Sequence, residues 1–331
     1  MNPTAAVPTF DLSDYTSCDT SLRSCAIRTL GEALVDIGFV LVEGHQIDSR
    51  LVRDVYELWQ RFFALDEGAK RGYTGIEGGA RGFTPFGVEH AKDHATPDLK
   101  EFWHVGQELA PDHPLYREYP PNVWPSELPE LREATLALYR ELERVAWLLL
   151  MALAEHFELP RETFSSMMRA GNSILRVLHY PPVPAAAQAA APATGVTGAT
   201  GAAPALRAAP HEDINLITLL CEATDSGLEL LRRDGSWMPV GALPGQLVVD
   251  AGDMLSRVTN EVVPATTHRV VNPPAGANRD RYSMPFFVHP YPAADLTVID
   301  RFVSAGRPSR YPPITAGEFL DQRLREIGLK R

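Results

Sequence analysis

Pro210-His211-Glu212-Asp213-Ile214-Asn215-Leu216-Ile217-Thr218-Leu219-Leu220 is the stretch from which the rest of the chain is best read. A histidine and a carboxylate stand two residues apart at the head of a run of branched apolar side chains, the pattern of a buried strand. Side chains alternate along a strand, so this reading puts His211, Asp213 and Asn215 on one face and Glu212 on the other. An imidazole beside a carboxylate offers two ligands for a divalent metal. Thr267-His268-Arg269-Val270-Val271 offers a third from a second strand-like segment. Two histidines and one carboxylate on one side of a metal leave its other positions open, which suits non-haem Fe(II) and its O2 chemistry. The plain alternative is a pair of ordinary polar residues at a strand start.

Arg281-Tyr282-Ser283 follows His268 and leads into the apolar run Met284-Pro285-Phe286-Phe287-Val288. On a strand Arg281, Ser283 and Phe287 share a face. A guanidinium forks onto a carboxylate with two parallel hydrogen bonds, and a hydroxyl adds a third. A buried arginine needs an anion, because an unpaired buried charge is costly. An open metal beside such a clamp is what a 2-oxo-dicarboxylic acid requires: one end chelates, the far carboxylate meets the arginine. Asn215 and Phe287 are candidates for the substrate wall by parity, with core packing an equal explanation of Phe287.

Composition narrows the setting. The chain has 331 residues and a net charge of -11, against a general nucleic-acid binder. Cys18, Cys25 and Cys221 are scattered, which disfavours a disulfide framework or a structural zinc site and favours a reducing compartment. Val145 to Ala154, the longest apolar run, is too short to span a bilayer. No basic segment followed by an apolar one opens the chain, so the expectation is a cytoplasmic protein with a small-molecule substrate and no membrane or nucleic-acid partner.

In order, Val7 to Leu12 reads as an edge strand, and Asp19 to Ile37 as a helix with Leu22, Ala26, Leu30, Leu34 and Ile37 inward, stopped by Gly38. Phe39 to Val42 is a strand. Asp48 caps a helix carrying Leu51, Val55, Leu58, Trp59 and Phe62. From Ala69 to Pro125 there is little periodicity, and Arg81, Phe102 and Trp103 are candidates for a pocket mouth. His90, His94 and His104 lack ligand-like spacing. Leu128 to Leu159 is a long amphipathic helix, and Ser173 to Tyr180 a strand. Pro181 to Pro210 is rich in Ala and Pro, with Arg207 its one charge, and reads as a flexible loop. Short strands then succeed one another to Val288, broken by one helix from Asp253 to Thr259, and Thr315 to Ile327 closes the chain as a helix. This predicts a β-rich α+β protein with a double-stranded β-helix (jelly-roll) core and supporting N-terminal and C-terminal helices. Its regions are residues 1–170, a core at 171–295 containing the 181–210 loop, and a helical segment at 296–331.

The set His211-x-Asp213, His268 and Arg281-x-Ser283 resembles the isopenicillin N synthase-like branch of the 2-oxoglutarate/iron(II)-dependent dioxygenases. Val7-Pro8-Thr9-Phe10-Asp11-Leu12-Ser13, Gly38 to His45 and Arg176-Val177-Leu178-His179-Tyr180-Pro181-Pro182 resemble further stretches of that family. The likeness runs from about Val7 to Leu329. It implies that His211, Asp213 and His268 bind Fe(II), and that Arg281 and Ser283, with Tyr180 in reach, hold the distal carboxylate of the co-substrate 2-oxoglutarate. It implies hydroxylation or desaturation of a small organic molecule with O2, releasing succinate and CO2. Leu178 and His179 stand where the family has Asn-Tyr, and Asn272 to Gly276 lengthen the interval between His268 and Arg281. Isopenicillin N synthase uses its similar Arg-x-Ser pair for the substrate's own carboxylate, so an Fe(II) oxidase without 2-oxoglutarate is the first alternative. A non-catalytic metal- or ligand-binding jelly roll is the second.

Overall fold

Helix caps and apolar stripes set the first elements. Strand β1 (Thr9–Asp11) ends on an aspartate whose carboxylate accepts the Ser13 N–H and caps helix α1 (Leu12–Thr16). Asp19 does the same for α2 (Thr20–Ile37). Gly38 ends α2 in the left-handed region at φ 69°, where a Cβ would come within 2.4 Å of Thr266 Oγ1. The chain passes straight into β2 (Phe39–Glu43), then α3 (Ser49–Phe63) and α4 (Glu67–Arg71). Strands β3 (Gly82–Thr84) and β4 (Glu101–Gly106) precede the long helix α5 (Glu130–His156). After β5 (Ile174–Tyr180) come β6 (Ala208–His211), β7 (Ile217–Cys221), β8 (Leu228–Leu231), β9 (Trp237–Pro239) and β10 (Leu247–Ala251). Helix α6 (Asp253–Val258), β11 (His268–Val270), β12 (Arg281–Ser283), β13 (Pro285–Val288) and α7 (Ala316–Glu326) complete the order. The computed structural model describes residues 6–74, 80–89, 96–184 and 205–326.

Two sheets face each other in a jelly roll. The larger runs β1-β2-β10-β7-β13-β5-β4-β3, with β12 also on β5; the smaller runs β6-β11-β8-β9. Phe39 and Val248 of the large sheet pack against Leu230 and Met238 of the small one. The outer face of the large sheet is covered by α2, α3 and α5, which bury Trp59, Phe62, Leu138, Leu142, Val145 and Leu149 with Trp103 of β4. Trp59 and Phe62 meet Trp103 at ring-centroid distances of 5.3 and 4.8 Å, and the Trp59 indole N–H donates to Thr135 Oγ1, so its one polar atom is satisfied in the core. Strands β1 to β4 extend the same sheet that β5, β7, β10 and β13 build, so the N-terminal region shares its framework with the jelly roll.

Three details differ from the sequence reading. The stretch from His211 to Leu220 is not one strand: β6 ends at His211 in the small sheet and β7 starts at Ile217 in the large one. Ala208, Ala209 and Pro210, read as loop, belong to β6, because their backbone pairs with β11; residues 185–204 of that loop lie outside the described residues. Leu22, read as inward, is 45% exposed. His90 and His94 lie outside the described residues, while His104 is on β4.

Candidate active site

His211 and His268 are directly opposed across the antiparallel pair β6–β11. Cross-strand neighbours bring their side chains within about 5 Å on one face, and here the ring centroids lie 4.4 Å apart. Asp213 comes from the segment that leaves β6 for the other sheet. That segment is held by α6, whose Asp253 and Met254 N–H groups donate to the carbonyls of Asp213 and Ile214. Gly252 permits the approach: a Cβ there would lie 2.4 Å from the Asn215 carbonyl oxygen. As a result Asp213 Oδ1 is 3.9 Å from both His211 Nε2 and His268 Nε2, and the three donors lie within 4.8 Å of one another. Two donors on one ion at about 2.1 Å each can stand at most about 4.2 Å apart, so both imidazole–carboxylate spans are compatible with a shared ion.

The surroundings prepare these donors. His211 Nδ1 donates to the Ala209 carbonyl at 2.7 Å and His268 Nδ1 to the Thr266 carbonyl at 3.1 Å. Each Nε2 therefore keeps its lone pair for a metal. Burial, then the neighbouring His268, pulls the His211 imidazole below its ordinary pKa, which favours the neutral, ligating form. The Thr218 hydroxyl donates to Asp213 Oδ2, and Asn215 Nδ2 donates to Thr218 Oγ1 at 2.9 Å, which leaves Oδ1 turned to the histidines. Asp250 faces the same cavity; burial, then the Asp213 carboxylate, pushes its carboxyl well above the usual range.

The three donors open on a cleft between the sheets. Arg281 and Ser283 of β12 stand on its wall. Arg281 is only 2% exposed; its Nε donates to the Asp225 carbonyl and its Nη1 lies 3.3 Å from Ser283 Oγ. Among the described residues it forms no ion pair with a carboxylate. A buried cation so placed is matched by an anion entering from the cleft. Tyr180, directly opposite Arg281 in the β5–β12 pairing, lies with its ring 5.0 Å below the guanidinium. Leu178, the apolar replacement in the family-like stretch, also faces the cleft, while His179 points to the helices, bonded to Glu101 and Asp280 and stacked on Tyr282.

Of the proposed substrate-wall residues, Phe287 lines the cleft and Asn215 does not. Asn215 is fully buried behind Asp213, because the chain turns between sheets at 212–216 and alternation no longer applies. Arg81 and Trp103 are not at a pocket mouth: Arg81 lies beneath Gly106, and Trp103 is in the core under α3. Phe102 stands behind the cleft wall, its ring 4.3 Å from the Arg176 guanidinium. Lys100, Arg176, Thr218 and Asp250 line the cleft and were not singled out from sequence. Arg176 was within reach of the alternation argument, since it shares parity with Tyr180 on β5; nothing local marked Lys100.

Residues 7–127 match the family described as non-haem dioxygenase in morphine synthesis, N-terminal, and residues 171–290 match the 2OG-Fe(II) oxygenase superfamily. A 2-oxoglutarate-dependent dioxygenase of Aspergillus rugulosus is 30% identical over 87% of this chain and 91% of its own. A 2-oxoglutarate-Fe(II) type oxidoreductase of Emericella nidulans is 29% identical over 97% and 89%. The crystal structure of a protein described as of the 2OG-Fe(II) oxygenase family from Caulobacter crescentus is 41% identical over 98% of this chain and all of that one, with a TM-score of 0.84. A full-length Neurospora crassa protein, crystallised with 2-oxoglutarate and thymine, is 26% identical over 98% of both chains, also with a TM-score of 0.84. The chain thus belongs to the 2-oxoglutarate- and iron(II)-dependent oxygenase superfamily.

Proposed function

We propose that His211, Asp213 and His268 hold the Fe(II) of this 2-oxoglutarate-dependent oxygenase, and that Arg281, Ser283 and Tyr180 hold the distal carboxylate of 2-oxoglutarate. A small organic molecule is oxidised in the remaining cleft, by hydroxylation or desaturation, with release of succinate and CO2. The observation that carries this is the buried Arg281, with no carboxylate partner among the described residues, on the wall of the same cleft as three convergent metal donors. The bound ion and co-substrate supply a two-electron oxidation with O2 as oxidant. The chain's own part is to present two neutral Nε2 atoms and one fixed carboxylate oxygen, to anchor the co-substrate through the guanidinium, and to exclude water with Leu220, Leu228, Val270 and Pro285. The small-molecule substrate is supported by the thymine complex of the Neurospora relative. The net charge of -11 argues against nucleic acid as partner, and no described helix is long and apolar enough to cross a membrane. The three free cysteines, two of them exposed, favour the cytoplasm.

Anaerobic titration with Fe(II) and 2-oxoglutarate tests the reading. A metal-to-ligand charge-transfer band is expected in the wild type. In Arg281→Ala it is lost at ordinary co-substrate concentrations while iron still binds. An Arg281→Ala protein with wild-type co-substrate affinity refutes the clamp.

A further inference from the structure

We infer that His179 is a positioning residue for the co-substrate clamp: with Glu101, Lys70 and Asp280 it forms a polar row behind the cleft wall that fixes β12, and with it the placement of Arg281 and Ser283. The inference rests on the reading above, in which Arg281 and Ser283 hold the far carboxylate of 2-oxoglutarate.

Strand β12 is three residues long, and among the described residues its one strand partner is β5. Its other edge meets a loop: the Tyr282 N–H donates to Thr224 Oγ1 at 2.8 Å and the Thr224 N–H to the Tyr282 carbonyl at 3.0 Å. A ladder this short is a weak hold by itself. The further support lies on the face turned away from the cleft. Cross-strand register puts Glu101 of β4, His179 of β5 and Tyr282 of β12 side by side. Arg281 and Ser283 flank Tyr282 and, by alternation, line the cleft. The His179 and Tyr282 rings stack with centroids 4.6 Å apart and planes 8° from parallel, and Phe63 of α3 packs 5.2 Å from the first and 6.1 Å from the second.

The imidazole spans two carboxylates. Nδ1 lies 2.7 Å from Glu101 Oε1, and Nε2 lies 2.7 Å from Asp280 Oδ1. An ionised carboxylate only accepts, so the ring donates from both nitrogens. Glu101 is buried and takes Lys70 Nζ on its two oxygens at 3.0 and 2.8 Å. Lys70 belongs to α4, and Asp280 directly precedes Arg281. The row therefore ties the helical layer, through β4 and β5, to the residue beside the clamp arginine. Every bond in it has a charged partner, and such bonds are the short, strong ones.

The test is anaerobic titration of the Fe(II)-loaded protein with 2-oxoglutarate and with 2-oxobutyrate, each read from the charge-transfer band. 2-Oxobutyrate has the chelating end and no far carboxylate, so it reports the metal site without the clamp. His179→Phe keeps the ring stack and removes both N–H groups. Its affinity for 2-oxoglutarate is expected to fall about tenfold, within the range of residues that act through a shared network, while 2-oxobutyrate binds as in wild type. General damage to the fold lowers both affinities together. Asp280→Ala, at a side chain 53% exposed, spares the core and moves the ratio of the two affinities in the same direction. Asp280→Asn, whose amide oxygen still accepts from Nε2, moves it less. Where 2-oxobutyrate binds too weakly to titrate, Fe(II) affinity by equilibrium dialysis is the reference. The inference is overturned if the ratio in His179→Phe, or in Asp280→Ala where the first does not fold, stays within about threefold of wild type, parallel weakening of both ligands included. A wild type that shows no band with 2-oxoglutarate, or binds it no better than 2-oxobutyrate, instead removes the clamp reading on which the inference stands.

Discussion

Thr218→Val tests whether the carboxylate ligand is aimed by its neighbours. The substitution keeps the shape and removes one hydroxyl. That hydroxyl donates to Asp213 Oδ2 and accepts from Asn215 Nδ2, so it is the middle of a buried chain that leaves only Oδ1 toward the histidines. A hydrogen bond to a charged group contributes about 1.5–3 kcal/mol, and loss of a partner behind a metal ligand lowers metal affinity about 10- to 100-fold. The two ranges agree, so Fe(II) affinity is expected to fall by that factor. Asn215 loses its acceptor as well, which costs the metal-free fold about 1–3 kcal/mol. Anaerobic Fe(II) titration measures the first effect and urea denaturation of the metal-free protein the second. If stability falls while iron affinity stays within threefold, Thr218 serves packing alone and the aiming argument is wrong. A loss as deep as that of His268→Ala would mean that Asp213 had left the site altogether.

Removal of the metal ligand itself, His268→Ala, abolishes stoichiometric Fe(II) uptake in equilibrium dialysis, whereas Arg281→Ala retains it. Lys70→Met strands the buried Glu101 carboxylate, which Lys70 meets at 2.8 Å; destabilisation of about 3 kcal/mol is expected in urea titration, with His179 still bonded to Glu101. Stability should also fall in mild acid. Burial pulls His45 below its usual pKa and His289 down to about 4, so between there and about 6.5 the unfolded chain binds protons that the folded one does not. The contribution is complete above that upper limit and is lost as pH drops through the window. Denaturation midpoints at pH 5 and 7.5 measure it. His45→Gln should lessen the difference, because neutral His45 both contacts the Gly245 carbonyl and accepts the Ile47 N–H.

Alternation was a sound guide wherever the backbone stayed in one sheet. Arg281, Ser283 and Phe287 share the cleft wall as the parity of β12 and β13 requires. Arg176, Leu178 and Tyr180 obey the same rule on β5. It failed at Asn215, because the chain crosses between sheets immediately after His211, and a crossing segment has no faces to count. That crossing is also why the motif works: the histidine stays beside His268 in the small sheet while Asp213 reaches back from the turn. Trp103 and Arg81 misled for another reason. Their neighbourhood, Gly- and Pro-rich, carried no period from which to tell which residues of β4 face the helices, as Trp103 does, and which lie behind the cleft wall, as Phe102 does. Lys100 and Asp250 enter the cleft through pairings between strands distant in sequence, which no local pattern encodes.

Strand β5 acts as a ruler for the chemistry. Its cleft face carries a cation at one end and, through Tyr180, abuts a second cation at the other, with the apolar Leu178 between them. Leu178 pairs with Ser283 across β5–β12, so on the proposed reading the co-substrate would gain no polar contact from Leu178 and its anchorage would fall more heavily on Arg281 and Ser283. His211, Asp213 and His268 line the same cleft as Arg281 and Ser283, so on the proposed reading one cleft holds both the metal donors and the anchor of the co-substrate.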